Sequence, residues 1–363
     1  MSAELFIGLM SGTSLDGVDA ALVDLSAAPR VLASAHSPYP PELRKALLEL
    51  HSPGASELER AALLGNQLAI CYSEAVATVL ARAGVERGAV RAVGCHGQTI
   101  RHRPDLGYTL QLGNAALLAE LAGIRVVADF RSRDIAAGGQ GAPLAPAFHA
   151  AIFASKDEDR AVLNLGGIAN LTCLPASGGV SGFDCGPGNC LLDFWAARHL
   201  GKPMDENGAW AASGKVNGAL LEKFLAEPYF AARPPKSTGR DLFNESWLLG
   251  RLSRGAAPGD VQRTLLELTA RAAADALRRS LPGAARLILC GGGAKNTALA
   301  ARIAELAAPA KADSSDRHGV DPSLVEAIAF AWLAQRALDG KPGNIPTVTG
   351  ARGPRVLGAI YPG

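Results

Sequence analysis

Two segments of the chain contain the same features in the same order, and this repeat limits the possible folds more than any other pattern. Residues 6–14 (FIGLMSGTS) and 162–170 (VLNLGGIAN) each run from an apolar strand through a glycine turn into a second strand. Self-similarity of this kind indicates an internal duplication. We therefore predict two α/β halves that each open with a β-hairpin and enclose a cleft, with the boundary between residues 138 and 161. The Gly- and Pro-rich segment 136–146 fits a linker or a ligand-binding loop.

Composition narrows the possible functions. A length of 363 residues suits two domains, at roughly 100–200 residues for each. The 36 Lys and Arg residues against 34 Asp and Glu residues give a net charge of +2. Because this charge is too small to neutralise a phosphate backbone, we expect no nucleic-acid partner. Glycine is enriched, with 41 residues that fall in clusters, which suggests that backbone groups bind a ligand.

The sequence also predicts a compartment. The six cysteines contain no C-x-x-C pair and no Cys/His spacing for zinc, which indicates free thiols in a reducing cytoplasm. The first residues lack the basic region of a signal peptide, and Glu4 stands where such a peptide has Lys or Arg. No apolar run approaches the roughly 18 residues of a membrane span. We therefore expect a cytoplasmic protein without a membrane partner.

Local patterns in the first half predict alternating strands and helices. Ser56 and Glu59 have the spacing of a capping box, and the apolar run after them ends at Gly84, a natural helix stop. Further elements predicted here are strands at 5–9, 18–25, 89–95 and 124–130 and a short helix at 114–121.

In the second half, Asp321 and Pro322 form an N-cap and N1 pair, which predicts a last long helix from there to about Leu338. Apolar residues at helical spacing run from Val261 to Ala276. Further elements predicted here are a strand at 286–290, a helix from about 296 and a closing strand at 355–361.

The first glycine turn, residues 11–17 (SGTSLDG), combines hydroxyls, two glycines and a carboxylate. Glycines let backbone N–H groups approach an anion and hydroxyls add donors, so this turn fits phosphate binding. An ordinary β-turn is the alternative. The segment 164–170 (NLGGIAN) repeats the arrangement in the second half, and the pair of turns favours a nucleotide site.

A third glycine cluster, 291–293, stands between a predicted strand and a predicted helix. A helix N-terminus preceded by small residues fits a phosphate or an adenosine, and close packing of the helix on the strand explains these glycines equally well. No G-x-x-x-x-G-K-[ST] motif occurs, so an ATP site in this chain is not of the P-loop type.

Asp184 lies in FDCGPGN (183–189), after a predicted strand and before a predicted helix. Glycines keep its surroundings open, which suits a general base or a contact to a magnesium-bound water. Helix capping is the rival interpretation. Asn189 is closer to the start of the helix and is therefore the better cap.

Polar side chains cluster at two further strand ends. Residues 95–102 (CHGQTIRH) and 129–134 (DFRSRD), the latter followed by GGQG at 138–141, carry the types that recognise sugar hydroxyls and carboxylates. Charged surface turns are the alternative. Glu326, early in the last helix, is either a cleft carboxylate or a partner of the helix dipole.

Seven motifs make the chain similar to a known family. They are GLMSGTSLDGVDAALVD (8–24), GCHGQTIRHRP (94–104), ADFRSRDIAAGGQGAPLAP (128–146), LNLGGIANLT (163–172), FDCGPGN (183–189), CGGGAKN (290–296) and EAIAFAWLA (326–334). With them the chain resembles the anhydro-N-acetylmuramic acid kinases essentially from end to end. The resemblance implies an α/β fold of two RNase H-like domains around a central ATP and substrate cleft, as in the superfamily of sugar kinases, chaperone ATPases and actin.

The resemblance also implies a reaction. ATP and water convert 1,6-anhydro-N-acetylmuramic acid into N-acetylmuramic acid 6-phosphate, a step of peptidoglycan recycling. Asp184 is then the base for the water that attacks the anomeric carbon, while the departing O6 takes the γ-phosphoryl group. Mg²⁺ is expected on the ATP, with Asp16 or Asp184 reached through water. We further expect Arg131 or Arg101 to bind the lactyl carboxylate of the substrate.

These arguments assign domains and site residues. The predicted domains are 1–145, with 340–363 packing back on it, and 146–363. The predicted ATP site is Gly12, Thr13, Ser14, Leu15, Asp16, Gly17, Val18, Asp19, Gly166, Gly167, Asn170, Gly291, Gly292, Gly293 and Asn296. The predicted substrate site is His96, Gln98, Thr99, Arg101, Asp129, Arg131, Gln140, Gly186, Gly188, Asn189 and Glu326.

Two other functions stay open on the same fold: a kinase for an ordinary ring-open amino sugar and a non-catalytic ATP-binding switch. The polar segments at 96–102 and 131–134 argue against a switch, which has no need of them. Cys185 stands where many members of the family have Thr, a departure that leaves Asp184 and the glycines intact. The expected partner is a small amino sugar, and a homodimer is left open.

Overall fold

The computed structural model describes residues 3–12, 15–234, 236–253 and 255–363. The chain divides into unit 1, Met1–Phe148 with Leu324–Gly363, and unit 2, His149–Ser323. The division after Phe148 falls within the range 138–161 considered above. The last long helix is part of unit 1 together with the segment after it, whereas the sequence analysis placed this helix in the second domain and expected only 340–363 to pack back on the first.

The described residues form twelve strands. They are β1 (Leu5–Ser11), β2 (Gly17–Asp24), β3 (Arg30–Pro38), β4 (Val90–Arg103), β5 (Tyr108–Leu112), β6 (Val126–Ala128), β7 (Arg160–Leu165), β8 (Ile168–Leu174), β9 (Ser181–Pro187), β10 (Arg286–Cys290), β11 (Lys311–Ser314) and β12 (Ala359–Tyr361).

The described residues also form fourteen α-helices. They are α1 (Pro41–Glu49), α2 (Glu57–Ala83), α3 (Ala115–Ala122), α4 (Ser132–Ala136), α5 (Ala145–Phe153), α6 (Cys190–Leu200), α7 (Ala209–Ser213), α8 (Gly218–Leu225), α9 (Pro228–Ala231), α10 (Glu245–Leu249), α11 (Pro258–Ser280), α12 (Thr297–Ala307), α13 (Val325–Leu338) and α14 (Pro346–Thr349).

Unit 1 contains a seven-stranded sheet in the order β12-β6-β4-β1-β2-β3, with β5 paired to β4. β1 and β2 form an antiparallel hairpin in which Leu5 lies opposite Asp24. β3 continues the antiparallel meander, and β4 and β6 extend the sheet on the other side in parallel.

Unit 2 contains a five-stranded sheet in the order β11-β10-β7-β8-β9. β7, β8 and β9 form an antiparallel meander, and β10 and β11 extend it in parallel. Both sheets therefore begin with a three-stranded antiparallel meander, and two further strands extend each sheet in parallel from the first strand of the meander, the arrangement of an RNase H-like domain. The prediction of two α/β halves that each open with a hairpin is confirmed.

Helix α13 packs directly on the sheet of unit 1, and two glycines permit this close approach. A Cβ atom on Gly8 would collide with the backbone of Ala327, and one on Gly94 would collide with the backbone of Phe330. Larger residues at these two positions would push the helix away from β1 and β4, and so disturb the core beneath the first glycine turn.

Helix α2 contributes Leu68, Tyr72 and Val76 to the buried core of unit 1. By length and composition it is also apolar enough to cross a membrane, but a core helix passes the same test. We attribute its hydropathy to this packing. In unit 2, α11 is the corresponding buried helix, and it covers the predicted helical spacing at 261–276.

Two helix starts differ from the predictions. Ser56 has a φ of 50°, and its side chain makes no capping hydrogen bond, so the capping-box prediction is wrong. The helix itself is confirmed, and it ends before Gly84. The last long helix, α13, begins at Val325, because Asp321 accepts a hydrogen bond of 2.8 Å from Ser323 N in a turn that precedes it.

The strand predictions missed β3, β5 and β11. β4 runs beyond its predicted end at residue 95 because its second part pairs with β5. β6 and β12 are shorter than predicted, since these two strands pair with each other over three residues. The strand at 286–290 is confirmed as β10.

Candidate active site

The first glycine turn joins β1 to β2 in unit 1. Of the ATP residues predicted there, Thr13 and Ser14 lie outside the described residues. Gly12 O accepts a hydrogen bond of 3.3 Å from Leu15 N. Leu15 and Val18 are buried, with exposures of 3% and 0%. Their side chains belong to the core, so these two residues offer a ligand their backbone alone.

The other predicted residues of this turn are two aspartates and a glycine. Asp16 is exposed, and Asp19 Oδ1 lies 2.8 Å from Nδ1 of His36. Gly17 is required by packing, because a Cβ atom there would collide with the carbonyl of Ser37.

Two buried side chains of β4 hold the carbonyl groups at the end of β1. His96 Nδ1 donates to Ser11 O at 3.2 Å, and Gln98 Nε2 donates to Gly12 O at 3.1 Å. The parallel pairing of β1 with β4 brings these groups together, with Ser11 and Gln98 in register. Both side chains were predicted to bind substrate, and in the structure one nitrogen of each contacts the backbone of the turn, while the buried Gln98 Oε1 has no partner among the residues that the structure describes.

Arg131 fixes the tautomer of His96. Its Nε and one terminal nitrogen donate to His96 Nε2 at 3.2 and 2.9 Å. Nε2 is therefore the acceptor of the ring, and Nδ1 carries the hydrogen given to Ser11 O. Burial, helped by the Arg131 cation, lowers the pKa of His96 to about 3. The imidazole is thus neutral, and it connects Arg131 to the first glycine turn.

Arg131 itself remains a cation. Burial lowers its pKa to about 10, and the nearby carboxylates of Glu326 and Asp134 oppose that shift. It also donates to Gly141 O at 2.7 Å. Glu326 lies in the first turn of α13. The structure therefore brings together Arg131 and Glu326, which the sequence analysis assigned separately to the substrate.

The loop that contains Gln140 is held by Asp134, which is fully buried. Asp134 Oδ1 accepts hydrogen bonds from Asn344 Nδ2 at 2.6 Å and Thr349 Oγ1 at 2.8 Å. Its Oδ2 accepts one from Gly141 N at 2.8 Å. Gln140 N donates to Thr349 O at 2.7 Å. The C-terminal segment thus ties this loop into unit 1.

Three other predicted substrate residues have polar partners of their own in unit 1. Arg101 forms a 2.6 Å ion pair with Glu57 and also donates to Leu50 O. The other two pairs are Thr99 Oγ1 with Gln111 Nε2 at 3.3 Å and Asp129 Oδ1 with Ser132 N at 3.2 Å.

In unit 2, Asp184 lies in β9 and is held by α9 and the segment that follows it. Its N–H donates to Lys236 O at 3.3 Å, and its Oδ2 accepts a hydrogen bond of 3.0 Å from Thr238 N. Its carbonyl accepts a hydrogen bond of 2.7 Å from Tyr229 Oη. One carboxylate oxygen and both backbone groups of Asp184 are therefore positioned by α9 and the segment that follows it.

The surroundings of Asp184 set its basicity. Partial burial raises its pKa to about 6, while the Thr238 N–H and the Lys236 cation act in the opposite direction. Lys236 Nζ donates to Tyr229 O at 2.9 Å and lies 4.4 Å from the centre of the Tyr229 ring. At neutral pH the carboxylate is ionised and basic enough to accept a proton. The sequence analysis missed Tyr229, Lys236 and Thr238, although the polar run KSTGR (236–240) was a signal for two of them.

The second glycine turn, Gly166 and Gly167, is hydrogen-bonded to the start of α6. Asn189 N donates to Gly166 O and Gly188 N donates to Gly167 O, both at 2.9 Å. A Cβ atom on Gly188 would collide with Gly166 O. The Asn189 side chain donates to Leu165 O at 3.1 Å and makes no capping hydrogen bond, so the prediction that it caps α6 is wrong.

The third cluster has both open and packed glycines. Gly291 has a φ of 81°, and a Cβ atom there would collide with Asn164. On Gly293 it would lie 2.6 Å from Asn189 Oδ1. Gly292 is exposed, and no heavy atom of the described chain lies within 4 Å of the position of its Cβ. Packing therefore explains Gly291 and Gly293, and Gly292 is accessible to a ligand.

Two more predicted site residues have structural roles in unit 2. Asn296 Oδ1 accepts a hydrogen bond of 3.0 Å from Leu299 N and so caps α12. Gly186 has a φ of 149° and lies against the ring of Phe230. These contacts account for both residues without a ligand.

The fold is thus an α/β fold with two RNase H-like sheets, each with a glycine turn in its first hairpin. Comparison with protein families assigns the chain more narrowly. Residues 4–363 match the family described as anhydro-N-acetylmuramic acid kinase. The chain belongs to this family.

Curated relatives of that name are similar over their full length. The protein of Nitrosospira multiformis is 55% identical over 100% of both chains. That of Cupriavidus metallidurans is 57% identical over 99% of this chain and 98% of its own. That of Bordetella petrii is 59% identical over 99% and 96%.

Solved structures are more distant. The activator of 2-hydroxyisocaproyl-CoA dehydratase from Clostridium difficile with bound ADPNP has a TM-score of 0.48 and 14% identity, with 90% of this chain and 92% of that chain covered. A ROK family glucokinase from Streptomyces griseus in complex with glucose and AMPPNP has a TM-score of 0.43 and 16% identity, with 92% and 99% covered. Values this low carry no argument, and the family assignment rests on the sequence relatives.

Proposed function

We propose that this chain uses ATP and water to convert 1,6-anhydro-N-acetylmuramic acid into N-acetylmuramic acid 6-phosphate. The family and its curated relatives support the substrate and the phosphoryl transfer. The observation that carries the chemistry is the state of Asp184. Its carboxylate is held in position, and partial burial raises its pKa to about 6.

Asp184 is the general base in this proposal. It takes one proton from a water whose oxygen bonds to the anomeric carbon, C1. The C1–O6 bond breaks, O6 bonds to the γ-phosphorus, and the bond between that phosphorus and ADP breaks. A base is most effective when its pKa lies near the working pH, because it is then ionised yet still holds a proton well. A pKa of about 6 meets both conditions.

The first glycine turn binds the ATP phosphates through backbone donors in this proposal. His96 and Gln98 hold the carbonyls of Ser11 and Gly12. A carbonyl that is fixed in this way also fixes the peptide that carries it, and preorganised donors stabilise transferred phosphoryl charge without rearranging.

Arg131 binds the lactyl carboxylate of the sugar in this proposal. Its guanidinium is cationic and lies near Glu326. Arg101 is the weaker candidate, since its guanidinium forms an ion pair with Glu57, whereas Arg131 donates to the neutral ring of His96 and to Gly141 O. The N–H groups of Arg131 that these bonds leave over would form charge-assisted hydrogen bonds with the lactyl carboxylate.

Mg²⁺ fits as a metal that enters with ATP. Among the residues that the structure describes, no group of three or more His, Cys, Asp or Glu side chains could hold a metal. Magnesium commonly uses one or two carboxylates, several waters and the phosphates of the substrate, and either the exposed Asp16 or the partly exposed Asp184 would supply such a carboxylate through water. When bound, it would neutralise developing phosphoryl charge. We also place the reaction in the cytoplasm, in peptidoglycan recycling.

An ADP-release assay with the anhydro sugar and with ring-open N-acetylmuramic acid tests the proposed function. We expect release with the anhydro sugar and incorporation of one oxygen from ¹⁸O-water at C1 after rapid work-up. Asp184→Asn should lower kcat by about 100- to 10,000-fold, the usual contribution of a general base. The matched control is Asp275→Asn, which alters an exposed carboxylate of α11.

Three results would contradict the proposal. Turnover of Asp184→Asn near the parent rate removes Asp184 as the base. Release with the ring-open sugar alone indicates an ordinary amino-sugar kinase. ATP binding without sugar-dependent release with either substrate indicates a switch.

A further inference from the structure

Two buried polar atoms in unit 2 lack hydrogen-bond partners next to Asp184. They are Asn170 Oδ1 and Thr238 Oγ1, and neither has a partner among the residues that the structure describes. Buried polar groups in folded proteins are nearly always hydrogen-bonded to protein or to ordered water. Two such atoms beside one candidate base therefore call for a common explanation.

The strand register places Asn170 beside Asp184. Asn170 in β8 is the direct partner of Asp184 in β9 in the antiparallel pairing. Residues that are directly opposite in such a pair project from the same face of the sheet, with their Cβ atoms about 4.5–5.5 Å apart. The amide of Asn170 and the carboxylate of Asp184 are therefore neighbours on that face.

Thr238 reaches the same carboxylate from the segment after α9. Its N–H donates to Asp184 Oδ2 at 3.0 Å, so its hydroxyl belongs to a residue in direct contact with the base. The carboxylate of Asp184 thus has the unpartnered acceptor of Asn170 on one neighbour and the unpartnered hydroxyl of Thr238 on another.

We propose that Asn170, Thr238 and Asp184 together bind the water that attacks the sugar, an inference that rests on the function proposed above. The water donates one hydrogen to the Asp184 carboxylate and the other to Asn170 Oδ1. Its oxygen accepts the hydrogen of Thr238 Oγ1. Three polar partners are the usual number for a buried water.

This arrangement leaves one lone pair of the water free. That pair forms the bond to C1 as the C1–O6 bond breaks, and the proton shared with Asp184 passes to the carboxylate. O6 takes the γ-phosphoryl group and ADP leaves with the electrons of the broken P–O bond. Asn170 and Thr238 are positioning residues, and Asn170, assigned above to ATP, acts on the water.

Asn170 also makes the site selective for water over an alcohol. Water has two hydrogens to donate, whereas methanol has one, and its methyl group points where the second hydrogen of water would meet Asn170 Oδ1. Asn170→Ala removes that acceptor and opens space for the methyl group. The share of methyl glycoside 6-phosphate formed in dilute methanol therefore reports on this residue.

The test measures three quantities on each purified variant: kcat, the KM for ATP, and the ratio of methyl glycoside to hydrolysed product by mass spectrometry. For Asn170→Ala we expect that ratio to rise at least fivefold with an unchanged KM for ATP. For Thr238→Val, which keeps the shape and removes the hydroxyl, we expect kcat to fall about tenfold, as for the loss of one hydrogen bond, and the ratio to stay constant.

Matched controls remove the same groups elsewhere. Asn66→Ala removes an amide on α2 that accepts a hydrogen bond from Asn114, and Thr78→Val removes a hydroxyl bonded to Glu74 O in the same helix. Both should leave the three quantities at their parent values. If Asn170→Ala does not fold, Asn170→Ser gives the same comparison with a side chain too short to reach the water.

The outcomes separate the two proposals. A parent enzyme without sugar-dependent ADP release removes the proposed function and this inference with it. An active parent whose methyl glycoside ratio is unchanged in Asn170→Ala overturns the water site alone. An increased KM for ATP in Asn170→Ala, with an unchanged methyl glycoside ratio, would show that Asn170 contacts the nucleotide and not the water.

Discussion

Each unit holds a buried or partly buried aspartate beside glycines, and the two differ in how they are hydrogen-bonded. Asp134 in unit 1 is fully buried, and its carboxylate accepts three hydrogen bonds, from Asn344, Thr349 and Gly141. The structure shows one hydrogen bond to the carboxylate of Asp184 in unit 2, from Thr238 N.

This difference in the number of hydrogen bonds distinguishes a carboxylate with a structural role from one that is able to act as a base. A carboxylate whose oxygens already accept three hydrogen bonds has little capacity left for a substrate. Asp184 has room for a further partner, and partial burial raises its pKa to about 6. Burial that is poorly compensated makes Asp184 a base at some expense of stability, whereas Asp134 ties the C-terminal segment to its loop.

The largest expected effect on stability is that of Asp134→Ala. It leaves three buried donors unpaired, and we expect the free energy of unfolding to fall by about 3 kcal/mol. Chemical denaturation followed by circular dichroism measures this. Asp129→Ala, which removes an exposed carboxylate bonded to Ser132 N, is the control and should change the value by less than about 1 kcal/mol.

Asp184→Asn should not lower the free energy of unfolding in the same experiment, in contrast to Asp134→Ala. The folded state raises the pKa of Asp184 from its ordinary value of 3.8 to about 6, so the folded state binds more protons than the unfolded state between those two pH values. The contribution of Asp184 to stability therefore falls as the pH rises through this window. At pH 7 the variant should be as stable as the parent or more so. A loss like that of Asp134→Ala would show that Asp184 has the structural role.

The next effect is the pH dependence of kcat/KM. Because Asp184 must be deprotonated, kcat/KM should be constant above its pKa and fall by about tenfold per pH unit below about 6. Lys236→Met removes a cation that lowers this pKa, so the acid limb should move to higher pH. Lys223→Met, on an exposed position of α8, should leave it in place. An acid limb that stays unchanged in Lys236→Met would rule out the lysine as a tuning group.

The smallest expected effect concerns His96 in unit 1. His96→Asn keeps a donor near the position of Nδ1, and His96→Gln keeps an acceptor near that of Nε2. If His96 acts through Ser11 O, the KM for ATP should remain near the parent value in His96→Asn and rise several-fold in His96→Gln, about the effect of one hydrogen bond. Equal values in the two variants, with equal melting temperatures, would contradict this role.

Much of the architecture could be predicted because its signals are local. The repeat of 6–14 at 162–170 predicted two hairpins, and both are present as β1–β2 and β7–β8. Asp184 was singled out by its own glycine-flanked motif. Ser56 shows the limit of such patterns, since its spacing to Glu59 fits a capping box and its φ of 50° excludes one.

The partners of each polar side chain could not be predicted, because they come from distant parts of the chain. Asn344 meets Asp134 across 210 residues, and Thr238 meets Asp184 across 54. Arg101 and Arg131 are similar as sequence, yet one forms an ion pair with Glu57 and the other contacts His96.

The order of residues was enough to predict two glycine-turned α/β halves, to single out Asp184 and to indicate the family. Hairpins, caps and motifs depend on neighbours within a few residues, so their signals are readable in the chain itself. Whether a carboxylate is saturated with donors or left with room for a water depends on which distant segments fold against it. Segments that are distant in the sequence, together with Gly141, bind both oxygens of Asp134, whereas distant segments leave room at Asp184, which is the candidate base.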